Sequence, residues 1–182
     1  RQSGLYLAVG QLDPAEAAAT RSLQLREKAL GKDHLDVAES LLATAAVQQL
    51  KSDFVHAEPS LQQALRIREK ALQADHLCVA QTQHQLASLH QAMAAYSKAE
   101  TLYQSALATR QAKLGADSLD VAESKEALGS LAVAMGNYAE AEPLYETALA
   151  IRRSKLGPED AAVAESLLDL GAPQRLRGEY PT

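Results

Sequence analysis

The chain has 182 residues, of which 47% are hydrophobic, 23% charged and 4% aromatic, and its formal net charge is −5. A chain this acidic is not expected to bind nucleic acid, which selects a concentrated basic face, and no apolar run approaches the roughly 20 residues that a membrane span needs. Cys78 is the only cysteine, so no internal disulfide is expected, which favours a cytoplasmic location.

The composition also limits the kind of core that the chain can build. There is no Trp and a single Phe, so the interior must consist mainly of Ala and Leu. Alanine has the highest intrinsic helix propensity and lets neighbouring helices approach closely. An all-α fold is therefore predicted.

A period of 42 residues runs through the sequence. Residues 135–156 read MGNYAEAEPLYETALAIRRSKL, and similar stretches occur at 93–114, 51–72 and 9–30. Self-similarity at a fixed period is typical of stacked-repeat proteins. A coiled coil is an alternative, because 42 residues make six heptads. Glycines at the repeat junctions and short turns between helices argue against it.

Each period is predicted to contain two amphipathic helices, A and B, since apolar residues recur at helical rather than strand spacing. In the clearest copy, helix A covers about 120–135 and helix B about 138–156. Nine helices are expected: a partial A at about 3–9, B at 14–30, A from 35, B from 54, A from 77, B from 96, A from 119, B from 138 and a last A from 161. The units are 1–30 (partial), 35–72, 77–114, 119–156 and 161–182 (partial), in a single array read as a fragment of a longer one.

The turns carry signals for helix ends. Gly31, Gly115 and Gly157 suit the left-handed position after helix B. The acidic residues of these turns, such as Asp33, are expected to cap the next A helix. Within a repeat, Gly136 is followed by Asn137 as the expected N-cap of helix B.

A motif within the period identifies a resemblance. It consists of Leu128-Gly129, Gly136 to Tyr145, Ala148-Leu149, Ile151-Arg152, and Leu30-Gly31 followed by Asp33-His34. The pattern resembles tetratricopeptide repeats of the 42-residue kind found in kinesin light chains and nephrocystin-3. The resemblance implies a right-handed α-solenoid of antiparallel helix pairs, a superhelix of about four repeats, and a non-catalytic scaffold that binds protein or peptide partners.

Small residues recur where helices A and B should cross. Ala57, Ala99 and Ala141 on helix B are expected to lie against Ala45, Ala87 and Gly129 on helix A. A bulky side chain at Ala99 would then cost about 1–3 kcal/mol.

Three prolines fall inside predicted helices. Pro59 and Pro143 lie past the first turn of helix B, where a local bend is expected. Pro173 has no counterpart in the other copies, and the last A helix is expected to be kinked or frayed there.

The resemblance further implies that the A helices line a concave peptide groove. Acidic side chains at the two ends and amides in the middle favour a basic or neutral extended peptide, although these residues also suit a solvated helix face. The predicted groove residues are Glu39, Leu42, Ala46, Gln49, Gln81, His84, Ser88, Gln91, Glu123, Glu126, Ser130, Glu165, Leu168, Ala172 and Arg175.

Other periodic residues have two interpretations. Arg26, Arg68, Arg110 and Arg152 form either a basic ridge for an acidic partner or lipid headgroup, or a set of cations that complement helix dipoles and pair with carboxylates. His34 and His76 lie a whole repeat apart, too far to share a metal ion. Cys78 is read as a small packed residue, since no base or second cysteine accompanies it.

No cofactor, metal site or catalytic set is predicted. An enzymatic interpretation has only Glu123 and Glu126 to offer, three residues apart on one helix face. A different alternative is a structural spacer or self-association module without a peptide ligand, because the groove is poor in the aromatic residues that dominate binding hot spots. Exposed apolar end faces predict end-to-end self-association.

Overall fold

The computed structural model describes residues 12–177, with the backbone alone at 174, 176 and 177. This part of the chain is helical throughout and contains no strand, which confirms the all-α prediction. The expected helix at 3–9 lies outside the described residues. The helices are α1 (Leu12–Leu30), α2 (Leu35–Leu50), α3 (Phe54–Leu72), α4 (Leu77–Ala92), α5 (Tyr96–Leu114), α6 (Leu119–Ala134), α7 (Tyr138–Leu156) and α8 (Ala161–Arg177).

The helices fall into two compact units, unit 1 within residues 1–93 and unit 2 within 94–182. In unit 1, α2 packs against α1 and α3, and α4 packs against α3. In unit 2, α6 packs against α5 and α7, and α8 packs against α7. The even-numbered helices correspond to the A helices of the sequence pattern and the odd-numbered ones to the B helices.

The core of each unit consists of small and aliphatic side chains. Ala57, Ala99 and Ala141 are all 0% exposed, as the close-packing prediction requires. In unit 1, Val37 and Ile67 form the centre of one cluster with their neighbours on α2 and α3. Each unit is therefore held together by burial of apolar surface between successive helices, at roughly 25 cal/mol per Å².

Gly129 marks the closest approach in unit 2. A Cβ atom added to Gly129 would lie 3.0 Å from Cε1 and 3.2 Å from Cδ1 of the Tyr145 ring. The partner of Gly129 on α7 is therefore the buried ring of Tyr145, one turn along from the expected Ala141. In unit 1 the corresponding positions hold Ala45 and Leu61, both buried.

Left-handed backbone ends the helices, as the glycines predict. Gly31, Gly115 and Gly157 have φ values of 85°, 87° and 89° after the B helices. Gln73 also has a positive φ (73°) at the equivalent place after α3. Ser52 (58°) and Ala94 (56°) have positive φ in the turns after α2 and α4, where the third copy has Gly136 (79°). A side chain at positive φ costs about 1–2 kcal/mol, so these turns are less stable than their glycine counterparts.

The N-caps differ in part from the prediction. The Nδ1 atoms of His34 and His76 accept hydrogen bonds at 3.1 Å from the backbone N–H groups of Asp36 and Cys78, and so cap α2 and α4. Asp33 instead accepts a hydrogen bond from Lys70 Nζ at 2.5 Å. The acidic-cap prediction is therefore wrong at Asp33 and at Asp117, because the next residues, His34 and Ser118, occupy the N-cap positions, but Asp160 does cap α8.

Asn137 occupies the N-cap position of α7 without a side-chain cap hydrogen bond from the described residues.

Pro173 does not fray the last A helix. Helix α8 continues through it to Arg177, so the expectation of a frayed helix is wrong, and the kink stays a prediction. The proline ring is almost fully buried, and its packing offsets the hydrogen bond that proline removes from the helix. Pro59 and Pro143 likewise lie inside continuous helices.

Within the described residues, none of the helices is long and apolar enough to cross a membrane.

Candidate functional site

The periodic arginines of the B helices join neighbouring helices. Arg68 on α3 is 3% exposed. Its Nη1 donates to the Cys78 carbonyl at 2.8 Å and to Thr82 Oγ1 at 2.7 Å, both on α4. Its Nη2 donates to Glu39 Oε1 on α2 at 2.5 Å. One guanidinium therefore connects three consecutive helices.

The same arrangement occurs at every period. Each arginine donates to a backbone carbonyl ten residues later and to a hydroxyl fourteen residues later, at 2.6–3.4 Å. We call this set the arginine ladder: Arg26 with Asp36 and Ser40, Arg68 with Cys78 and Thr82, Arg110 with Asp120 and Ser124, and Arg152 with Ala162 and Ser166. Hydrogen bonds that involve a charged group contribute about 1.5–3 kcal/mol each.

The ladder decides between the two interpretations of these arginines. Arg68 and Arg110 are buried, 3% and 4% exposed, so they do not form a basic ridge on the surface. They pair with carboxylates, as the second interpretation requires: Arg110 lies 3.0 Å from Glu123 Oε2 and Arg152 lies 2.5 Å from Glu126 Oε2. The basic-ridge hypothesis is therefore wrong.

These pairs change the charge of the predicted groove. Glu39, Glu123 and Glu126 each have an arginine partner within the chain. Their charges are compensated, although Glu39 and Glu123 remain about half exposed. They therefore attract a basic ligand less strongly than the sequence pattern suggests.

Lysines near the ends of two B helices pair with the acidic turn residues of the previous period. Lys70 bonds to Asp33 at 2.5 Å and Lys155 to Asp117 at 2.6 Å. The hydrogen bond from each lysine lowers the pKa of its aspartate below 3.8. These are solvated pairs and add little to stability.

A cleft between the two A helices of unit 1 is the strongest candidate for a ligand site. It has a volume of about 460 Å³ and is lined by six residues of α2 and α4. They are Ala46, Gln49, Leu50, His84, Gln85 and Ser88. Two amides, an imidazole and a hydroxyl thus lie beside the apolar surface of Leu50, which is 60% exposed.

Gln85 has an unusual environment within this cleft. Its Oε1 atom is buried and accepts no hydrogen bond from any residue between 12 and 177. A buried acceptor left without a donor costs about 1–3 kcal/mol. A ligand N–H group reaches this oxygen once the Gln85 side chain rotates into the cleft, and the hydrogen bond would then recover part of that cost.

The cleft contains some of the predicted groove residues of unit 1 and not others. Gln49, His84 and Ser88 line it together with Ala46. Glu39 pairs with Arg68 instead, and Leu42 packs against the core cluster of α2 and α3. Gln81 is exposed and Gln91 half-buried, and neither lines the cleft.

In unit 2 the predicted groove residues lie around a carboxylate cluster. Glu126 and Glu165 lie near Asp169, and Arg152 pairs with Glu126. Burial, followed by the hydrogen bond that the protonated Asp169 carboxyl donates to Glu126, raises the pKa of Asp169. Ser130 is exposed and hydrogen-bonds to Tyr145.

The remaining predicted positions are at the exposed face of α8. Leu168 is 66% exposed, Arg175 is exposed, and Ala172 is half-buried. Burial raises the pKa of the nearby Tyr145 hydroxyl to about 12, so this phenol is neutral at physiological pH.

Few of the described side chains are candidates for binding a metal ion or for catalysis. Across residues 12–177, His, Cys, Asp and Glu do not gather into a set of three or more that suits a metal ion. His34 and His76 act as helix caps. Cys78 is half-buried, and its carbonyl accepts from Arg68.

Sequence reasoning missed Leu50, Gln85 and Asp169. Leu50 is the last residue of α2 and falls outside the regular groove spacing. Gln85 and Asp169 occupy the same place in their A helices, 84 residues apart, next to predicted groove residues. Their polar character at an inward position of an A helix was the available signal.

The profile of the family described as "Tetratricopeptide repeat" matches residues 2–70, 56–112, 78–154 and 120–182. No curated protein sequence matches the chain.

Solved structures show the same fold. BtubC (BKLC) from P. vanneervenii is 26% identical, with a TM-score of 0.84 over 97% of this chain and 70% of that one. A putative kinesin light chain with nearly identical TPR-like repeats from Podosopora anserina is 24% identical, with a TM-score of 0.82 over 97% and 84%. A Rap protein complexed with Competence and Sporulation Factor is 20% identical, with a TM-score of 0.79 over 98% and 48%.

Proposed function

The chain belongs to the tetratricopeptide repeat family, and on that premise we propose that it is a non-catalytic protein-interaction scaffold. Its ligand is an extended peptide, neutral or basic in charge, that binds between the A helices. A cytoplasmic location is part of this proposal, because the single cysteine needs no oxidising compartment.

The cleft between α2 and α4 carries the proposal. It is open, it has amide groups on both sides, and it includes the buried Oε1 of Gln85. An extended peptide presents alternating backbone N–H and C=O groups, which are the partners that glutamine side chains can satisfy. Leu50 and Ala46 offer apolar surface for one peptide side chain.

The charge of the chain supports a neutral or basic ligand rather than an acidic one. The net charge is −5, and the cleft itself contains no carboxylate. Since Glu39 is already paired with Arg68, attraction to a basic residue beside the cleft is modest. Affinity must therefore come mostly from backbone hydrogen bonds and contact with Leu50.

A peptide selection tests this proposal. Random 12-residue peptides displayed on phage are selected against the chain, and the binding of the enriched peptides is measured by calorimetry. Ser88→Arg places a long side chain at the cleft from an exposed position, so we expect binding to fall at least ~10-fold. Gln62→Arg is the matched control, because Gln62 is exposed on α3 and does not line the cleft.

Equal loss in Ser88→Arg and Gln62→Arg, or no loss in either, would remove the cleft as the binding site. Both variants should keep the unfolding temperature of the wild type, since both replaced side chains face solvent.

Self-association without a peptide ligand is the second candidate function. Helix α8 exposes Leu167 (44%) and Leu168 (66%) side by side, and adjacent exposed leucines favour contact with another apolar surface. Light scattering as a function of concentration tests it. A monomer whose mass stays constant while the selected peptide binds favours the first proposal; association lost in Leu168→Glu favours the second.

A further inference from the structure

A second cleft lies in unit 2, where α5, α6 and α7 meet. Its volume is about 200 Å³. Glu100 on α5 and Glu140 on α7 lie at its polar side, whereas Met135, Leu131 and Leu144 supply apolar surface. Among the described residues, those that line it include no lysine, arginine or histidine. The cleft is therefore acidic and partly apolar, and no cationic side chain in its lining compensates the negative charge of the two glutamates.

The same place in unit 1 contains a lysine of the chain itself. Lys51 lies two periods before Met135, and Glu16 two periods before Glu100. Lys51 Nζ donates to Glu16 Oε2 and to Asp13 Oδ1, both at 2.7 Å. The hydrogen bond to Asp13 is the largest cause of the raised pKa of Lys51. The repeat thus has a built position for an ammonium group against a glutamate of helix B.

Lys51 and Met135 are structurally equivalent. Each is the C-cap residue of an A helix, with φ of −84° and −85° respectively. Met135 cannot supply an ammonium, and it remains 41% exposed. Glu100 is half-buried, and its Oε1 accepts a hydrogen bond from the neutral amide of Gln104, Nε2, at 3.2 Å.

We propose that this cleft binds a lysine side chain presented by a partner protein. In unit 2 the ammonium lies next to Glu100 and near the carboxylate of Glu140, at the place that corresponds to Lys51 Nζ in unit 1. The methylene groups of the lysine lie along Met135 and Leu144, in the way that long cationic side chains cover apolar surface. In unit 1 the ammonium bonds to single oxygens of Asp13 and Glu16, and of these two carboxylates only Glu16 has a counterpart in unit 2, Glu100, because Ser97 stands in the place of Asp13. A compact ammonium fits a single carboxylate oxygen better than a planar guanidinium, which favours bidentate pairing.

This inference does not depend on the peptide cleft of the proposed function, since the two clefts lie in different units and share no residue. A failure of one experiment leaves the other proposal standing.

The two methionines of the chain make the inference testable by NMR. The methyl signals of ¹³C-labelled Met93 and Met135 are recorded while acetyl-Gly-Lys-Gly-amide is added. We expect a saturable shift of the Met135 signal with a dissociation constant on the order of millimolar, and a stationary Met93 signal. The shift should weaken as salt is added, because the contact is partly solvated.

Control peptides and variants separate this binding from non-specific contact. Acetyl-Gly-norleucine-Gly-amide, which lacks the ammonium, should leave Met135 unshifted, and the arginine peptide should bind more weakly. In Glu100→Gln the affinity for the lysine peptide should fall at least ~5-fold. In Met135→Lys the chain's own ammonium should occupy the cleft, so the amide signals of α5 and α7 should no longer respond to the lysine peptide. The Met135→Leu variant should still bind that peptide.

Four results would overturn the inference. They are an equal response to the norleucine peptide, parallel shifts of Met93 and Met135, no saturable shift at about 50 mM peptide, and unchanged binding in Met135→Lys. If the arginine peptide binds more tightly than the lysine peptide, the assignment to lysine is wrong.

Discussion

We expect the hydrogen bonds of the arginine ladder to stabilise the folded chain, and the variant Arg68→Met is the sharpest test of this expectation. Methionine keeps much of the aliphatic volume of Arg68 and removes the guanidinium. The Cys78 carbonyl keeps its bond from Thr82 Oγ1 at 2.9 Å, but Thr82 loses the donor at 2.7 Å and Glu39 loses its cation. The structural consequence is a buried hydroxyl that has lost its charged partner.

The magnitude follows from the burial of each partner. Two hydrogen bonds to a charged group contribute about 1.5–3 kcal/mol each. Part of that sum is offset, because the cost of burying the guanidinium also disappears. Glu39 is 57% exposed on its side chain and becomes hydrated, so the ion pair itself adds about 0–1 kcal/mol. Arg68→Met should therefore lower the free energy of unfolding by about 2–4 kcal/mol.

The assay is urea denaturation followed by circular dichroism. Arg66→Met is the matched control, since Arg66 is exposed on the same helix, and it should change the free energy of unfolding by less than about 0.5 kcal/mol. Glu39→Gln should cost at most about 1 kcal/mol. In the double variant Arg68→Met/Thr82→Val both polar partners are removed, so its loss should be smaller than the sum of the single losses by about 1 kcal/mol.

Two outcomes would refute this reasoning. In the first, Arg68→Met and Arg66→Met have the same effect. In the second, Glu39→Gln costs as much as Arg68→Met, which would assign the stability to the exposed ion pair rather than to the buried hydrogen bonds.

Three further predictions concern backbone, packing and charge. Ala94→Gly should raise the free energy of unfolding by about 0.5–1 kcal/mol, because glycine accepts the φ of 56° without strain, whereas Ala150→Gly, at an exposed position inside α7, should lower it by a similar amount; effects of the same sign would contradict the argument. Gly129→Ala should cost about 1–3 kcal/mol, since its Cβ would meet the Tyr145 ring at 3.0 Å, whereas Gly171→Ala, with no atom within 4 Å, should be neutral or stabilising; thermal unfolding of the two variants compares them. Asp169→Asn should raise the unfolding temperature at pH 7, because burial raises the pKa of Asp169 in the folded chain and ionisation therefore costs stability. That gain should shrink as the pH falls towards 3.8, and Asp33→Asn should show the opposite sign, since Lys70 lowers the pKa of Asp33.

The sequence predicted the helices well because their signals are local. Helix A of the clearest copy was expected at about 120–135 and lies at Leu119–Ala134, and helix B matches at Tyr138–Leu156. Apolar spacing and glycine at the helix ends depend only on neighbours along the chain. The burial of Ala57 and Ala99 followed from the same periodicity.

The pairing of polar side chains was harder to predict, because it depends on distances between helices. The arginine ladder had a visible signal, since the hydroxyls of Ser40, Thr82, Ser124 and Ser166 recur fourteen residues after the arginines. Whether an arginine points to solvent or bridges two helices is nevertheless a tertiary property. The same limit applies to Asp33, whose partner is Lys70 on another helix, whereas the next residue, His34, caps α2.

The candidate cleft was predictable only in part. Gln49, His84 and Ser88 follow from the register of the A helices, but the gap between α2 and α4 depends on the side chains that meet there. Leu50 and Gln85 line the cleft although neither fits the regular spacing. Clefts of this kind arise where a repeat departs from its own consensus.

A crystal structure of the chain with a selected 12-residue peptide tests directly whether the cleft between α2 and α4 binds peptides. We expect an extended peptide between α2 and α4, with a backbone N–H that donates to Gln85 Oε1 at about 2.7–3.2 Å. A peptide bound elsewhere, or one that leaves Gln85 Oε1 without a donor, would contradict it.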